Sequence, residues 1–125
     1  EPEGPLALAM LHYNNKTEWV DSKIEVAVDY MMKAAYAGNP KAQLNLSQMY
    51  WKGDGVKQDN ASTLAWSGVA ATVDTDARTN AEWLLTQLNQ TEILTATRLQ
   101  ADIRQKIDQL QADQLRTLDF KAHGA

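Results

Sequence analysis

From residue 22 to residue 110 apolar side chains return every three or four positions, and glycine, proline or a short polar residue interrupts them at intervals. This period predicts amphipathic helices joined by tight turns. Ser22 followed by Glu25 has capping-box spacing, and it opens a stripe through Ile24, Ala27, Val28, Met31 and Ala35 that Gly38 ends. Asn39 and Pro40 read as the N-cap and first residue of a second helix carrying Ala42, Leu46, Met49 and Tyr50, which Gly53 and Gly55 stop. Asp59 or Asn60 begins a third, with Ala61, Leu64, Ala65, Ala70 and Ala71 along it. Asp74 and Asp76 supply negative charge at the start of a fourth that runs to Leu88. Thr91 opens a long last helix striped by Ile93, Ala96, Leu99, Ile103, Ile107 and Leu110. With proline only at positions 2, 5 and 40, the chain is expected to be all-α.

The pattern also repeats. Val20 and the run Lys33-Ala34-Ala35 correspond to Val56 and Val69-Ala70-Ala71 at an offset of 36, and Tyr30 falls on Trp66 at the same offset. A period in the thirties with two helices per unit predicts an α-α superhelix, because one helix pair cannot cover its own apolar face and stacks on the next.

The residues Ala42-Gln43, Leu46, Met49-Tyr50, Gly53, Gly55-Val56, Gln58-Asp59, Ala61, Trp66 and Ala70-Ala71, at the spacing in which they stand, resemble the Sel-one-like repeat, a relative of the tetratricopeptide repeat. The resemblance implies units at 4–37, 38–73 and 74–90, then a C-terminal capping helix over 91–110, with 111–125 a helical extension or a frayed tail. It implies that the first unit has a helix near Pro5–Tyr13 and a loop over Asn14–Trp19, and that Gly53 and Gly55 form the turn inside the second unit. It further implies a non-catalytic module for protein–protein interaction: an adaptor, a regulator or an immunity protein, with the bacterial periplasm favoured over the cytoplasm.

Composition narrows the alternatives. Sixteen Asp and Glu against twelve scattered Lys and Arg give a net charge of −4, which disfavours nucleic acid as a partner. There is no cysteine, hence no disulfide framework and no thiolate site. No apolar run approaches a membrane span, so no membrane insertion is expected, and the start Glu1-Pro2-Glu3-Gly4-Pro5 does not read as a signal peptide. Gly53 and Gly55 lack the Gly-Lys-Ser/Thr of a phosphate loop, and Asp54 and Asp59 are too few for a calcium loop. No cofactor, metal or catalytic residue is assigned. The competing enzyme reading rests on His12 with Glu18 or Glu82, because the other histidine, His123, stands in the terminal segment.

Aromatic residues carry the remaining expectation. Tyr30, Tyr50 and Trp66 occupy core positions of the repeat, whereas Trp51 follows Tyr50 by one residue and is rotated about 100° out of the core. With Leu46, Ser47 and Tyr50 packed, Lys41, Leu44, Gln48, Trp51 and Lys52 face the concave groove expected of helical repeats. An offset of 35 carries Leu44, Gln48 and Trp51 onto Thr79, Trp83 and Thr86. Two tryptophans on one groove would anchor a protein or peptide partner, since Trp is enriched at binding hot spots; packing of Trp83 beneath the capping helix is the alternative. The stripe of the last helix is expected to fold back as far as about Leu110, leaving the remainder as an extension or a homodimer contact.

Overall fold

The computed structural model describes residues 21–123 as five α-helices: α1 (Asp21–Tyr36), α2 (Pro40–Lys52), α3 (Asn60–Ala70), α4 (Thr75–Gln87) and α5 (Gln90–His123). Among the described residues there is no strand. The expected helix over Pro5–Tyr13, the loop Asn14–Trp19, Val20, and the enzyme candidates His12 and Glu18 lie outside these residues.

Short polar side chains set where three of the helices start. Asn39 Oδ1 accepts the backbone N–H groups of Lys41 and Ala42 at 2.9 and 3.1 Å, with Pro40 in the first turn where its missing N–H costs nothing. Asp59 caps α3 through the Ala61 N–H at 3.2 Å, and Asp74 caps α4 through the Ala77 N–H at 3.0 Å. The last helix begins earlier than Thr91. Asn89 N–H donates to Glu92 Oε1 at 3.0 Å while Glu92 N–H donates to Asn89 Oδ1 at 2.8 Å, a reciprocal capping box that fixes α5 from Gln90.

The glycine pair serves the α2–α3 turn. Gly53 (φ +74°) and Gly55 (φ +78°) are both left-handed, and the Gly53 N–H closes α2 by donating to the Met49 carbonyl at 2.7 Å. Gly55 also lies against α1: a Cβ there would stand 3.2 Å from Val28 Cγ2 and 3.4 Å from both Ile24 Cγ2 and Met49 Cε.

Consecutive helices pack on one another from α1 to α4, and α5 crosses back over α3 to reach α1. Helix α3 is consequently the most enclosed, with Trp66, Ala65 and Val69 buried. One apolar cluster gathers Met31, Ala35, Leu46, Met49, Trp66, Val69, Ile103 and Ile107; a second joins Ala61, Leu64, Leu84, Leu88 and Ala96. Tyr36 meets Trp66 edge-on, with ring centroids 5.1 Å apart. Burial raises the pKa of Tyr36, and it does the same for Tyr50, with Tyr36 and Asp59 adding to the effect. Tyr30 and Tyr50 sit half-buried on the first cluster, so of the three expected core aromatics only Trp66 is fully enclosed.

Environments recur along the chain. Ala27 and Thr63, Met31 and Ser67, and Ala34 and Ala70 are buried pairs separated by 36 residues. At an offset of 35, Ala42 matches Ala77, Met49 matches Leu84, and the caps Asn39 and Asp74 coincide.

Helix α5 is continuous past Leu110, where its stripe was expected to leave the body. It buries Ala96, Ile103 and Ile107, and Arg104 Nη2 donates to the Gly68 carbonyl and Thr72 Oγ1 at 3.1 Å each where α5 passes α3. After Ile107 every described side chain of α5 is exposed, Leu115, Leu118 and Phe120 by more than 60%. Residues 111–123 are helical.

Candidate partner-binding site

The helical rotation that takes Tyr50 onto the core takes Trp51 off it, and α4 repeats the step with Leu84 buried and Trp83 outward. Trp51 is 38% exposed and Trp83 47%. The two indoles meet edge-to-face across α2 and α4, with centroids 5.6 Å apart and planes at 73°. Such a contact is worth about 0.5–1.5 kcal/mol beyond the area it covers, and it leaves the outer ring faces to solvent. Trp83 therefore does not pack beneath the last helix.

Beside the rings lies a cleft of about 220 Å³, lined by Ser47, Gln48, Trp51 and Lys52 of α2, Thr63 of α3, and Asn80, Trp83 and Leu84 of α4. Its base is a line of polar groups. Asn80 Nδ2 stands 2.7 Å from Ser67 Oγ, Ser67 Oγ stands 2.6 Å from Ser47 Oγ, and Ser47 O–H donates to the Thr63 carbonyl at 2.7 Å. Ser47 and Ser67 have no solvent exposure, so these bonds tie three helices together below the tryptophans. Charge on this side has one sign at α2, which carries Lys41 and Lys52 and no carboxylate, while α3 carries no charged residue.

Of the eight groove residues expected from sequence, the cleft brings together Gln48, Trp51, Lys52 and Trp83. The other four do not line it. Lys41 is exposed more than two turns from Trp51, and Leu44 is half-buried. Thr79 and Thr86 spend their hydroxyls on their own helix, donating to the Thr75 carbonyl at 3.1 Å and the Trp83 carbonyl at 2.6 Å. Asn80, Ser47 and Thr63 were not singled out as site residues. Asn80 stands one turn before Trp83 on the same helical face, but only the fold sets it against Ser67.

This arrangement supplies shape, aromatic surface, hydrogen-bonding groups and one ammonium. Among the described residues no group of His, Asp or Glu could hold a metal ion, and no helix is long and apolar enough to cross a membrane. Glu82, the remaining partner for the enzyme reading, is exposed on α4 and is not part of the cleft.

A second, larger depression of about 960 Å³ lies between the end of α1 and the α5 extension, with Met32, Tyr36, Leu110 and Leu118 among its walls and Asp29, Lys33, Lys106 and Asp113 also lining it. Lys106 Nζ sits 4.7 Å from the centre of the Tyr36 ring. No protein-family model matches the chain, and no curated protein and no solved structure is significantly similar to it.

Proposed function

We propose that this chain is a short α-α superhelix of Sel-one-like units closed by α5, and that it acts as a non-catalytic interaction module holding a protein or peptide partner against the α2–α4 face. The repeated environments at offsets of 36 and 35 support the superhelix reading, because stacked copies of one helix pair bury equivalent positions. The pairing of Trp51 with Trp83 carries the functional reading: two large aromatic side chains from separate helices stand exposed at one place beside a formed cleft. A folded chain gains more from covering such rings than from leaving them in water, and Trp is prominent among residues that dominate interface energies.

The test is affinity capture from the source organism with wild type and Trp51→Ala in parallel. A partner retained by wild type and lost by Trp51→Ala, with melting temperatures within about 4 °C of each other, supports the proposal. Equal retention by both proteins contradicts it. A larger fall in melting temperature would mean that Trp51 is a core residue.

A second reading is favoured by the exposed Leu115, Leu118 and Phe120: the α5 extension serves as a contact between copies of this chain. Sedimentation equilibrium of wild type and Leu115→Gln/Leu118→Gln distinguishes it. A dimer that the double substitution dissociates supports this contact, and a monomer at high concentration removes it.

A further inference from the structure

The polar base of the cleft fixes which way the Asn80 amide points. Three contacts join Asn80, Ser67, Ser47 and the Thr63 carbonyl, at 2.7, 2.6 and 2.7 Å, and each needs one proton. The carbonyl only accepts, so the Ser47 hydroxyl donates to it. Ser67 must then donate to Ser47 Oγ, which leaves Ser67 Oγ as the acceptor toward Asn80, and only the amide nitrogen can donate there. With the amide turned over, two hydroxyl protons would have to serve three contacts. One buried 2.6–2.7 Å approach would be left between two oxygens with no hydrogen. The chain therefore runs Asn80 Nδ2 to Ser67 to Ser47 to Thr63, and Asn80 Oδ1 is the acceptor left over. It takes no hydrogen bond from any described residue, and Asn80 lines the cleft beside the two tryptophans.

We infer that Asn80 Oδ1 receives a backbone N–H from an extended peptide segment that lays one side chain beside Trp51 and Trp83 and a neighbouring carboxylate against Lys52. This deepens the proposed partner-binding role and rests on it. At about 220 Å³ the cleft lies below the roughly 300–1,000 Å³ of small-molecule sites, and it suits a single side chain. An acceptor held by a buried network is preorganised, so a donor from the partner meets it without ordering cost. Lys52 is the one charged residue lining the cleft, it makes no ion pair with a described residue, and α2 holds no carboxylate to compete for it. That charge favours an acidic neighbour on the peptide.

The probe is a positional-scanning library of acetylated hexapeptide amides, read by the indole N–H resonances of Trp51 and Trp83. The best peptide is then N-methylated at one amide at a time. The inference expects acidic residues to be selected at one position, and one N-methylation to weaken binding by about 5-fold or more in wild type. In Asn80→Ala the same N-methylation should cost less than about 2-fold. Free Asn80→Ala should keep the wild-type indole N–H resonances of Trp51 and Trp83, and should bind the peptide N-methylated at that amide within about 2-fold of wild type, which separates loss of the acceptor from misfolding. Should peptides bind while N-methylation has no preferred position, or cost the same in Asn80→Ala, the role given to Asn80 is overturned and the partner-binding reading stands. Selection of peptides without an acidic residue overturns the role given to Lys52. No response of either indole to any peptide overturns this inference and counts against a peptide partner on that face.

Discussion

Replacing Ser47 by alanine removes the middle of the hydrogen-bond chain under the cleft. The hydroxyl is fully enclosed; it donates to the Thr63 carbonyl at 2.7 Å and accepts from Ser67 at 2.6 Å. Without it both of these bonds are lost, and the Ser67 hydroxyl can only turn back to the Thr63 carbonyl one turn earlier on its own helix. Two buried hydrogen bonds at about 1 kcal/mol each set the loss for Ser47→Ala at about 2 kcal/mol. Ser67→Ala should lose less, about 1 kcal/mol, because Ser47 keeps its bond to Thr63 and the half-buried Asn80 amide can turn to water. In the double variant the shared bond is lost only once. The two substitutions together should cost about 2 kcal/mol instead of the additive 3, a coupling near 1 kcal/mol. Urea denaturation followed by far-ultraviolet circular dichroism gives all three values, provided the transitions are two-state with equal slopes. A loss below about 0.5 kcal/mol for Ser47→Ala, or strict additivity, would refute the proton assignment and with it the orientation of Asn80.

Three further expectations follow from other parts of the molecule. Gly55→Ala should cost about 1–2 kcal/mol in the same assay, since the residue is left-handed and its new methyl would press on Val28; a neutral effect would mean that the turn is not held there. Ile107→Ala should cost about 2–4 kcal/mol and raise amide exchange along the α5 extension first, while Leu118→Ala on the exposed part should be close to neutral. Glu92 accepts from the Asn89 backbone N–H and from Asn60 Nδ2, which hold its carboxyl below the ordinary 4.5. Its folded-state pKa lies under the unfolded one, so its contribution is complete above about pH 4.5 and is lost as pH falls through the folded value. Denaturation midpoints measured from pH 6 to pH 3 should therefore fall less steeply for Glu92→Gln than for wild type, and parallel curves would remove Glu92 from the acid response.

The helices were legible in the sequence where a local rule acts alone. Asn39-Pro40, Asp59 and Asp74 mark starts because a short acceptor satisfies the first free N–H groups whatever the tertiary context. Gly53 and Gly55 mark a turn because few other residues take positive φ. The start of α5 was set too late, at Thr91, although Asn89 has Glu92 at capping-box spacing and Thr91 has Leu94 there; the reciprocal bonds form at the earlier position. The last helix was expected to leave the body near Leu110, where its apolar stripe ends. After Ile107 the side chains of α5 are exposed, and Gln, Leu, Arg, Lys and Ala keep the backbone helical.

At the site, rotation by one residue turns Trp51 outward, and the internal offset, which aligns Trp83 with Gln48, sets Trp83 on the same groove without pairing it with Trp51. Lys41, Leu44, Thr79 and Thr86 share that face without sharing the cleft, because a helical face runs the whole length of its helix whereas a cleft occupies about one turn of it. Asn80 was missed for a different reason. A polar residue leaves no mark on an apolar period, and its partner Ser67 comes from a helix that only the fold brings alongside.

The central claim, that Trp51 and Trp83 form one anchor, is tested most directly by isothermal titration calorimetry of the captured partner against wild type, Trp51→Ala, Trp83→Ala and the double variant. Each single substitution is predicted to weaken binding by about 30-fold or more, and the double variant by clearly less than the product of the two losses. Affinities within about 2-fold of wild type for both single variants, with their stability intact, would contradict it.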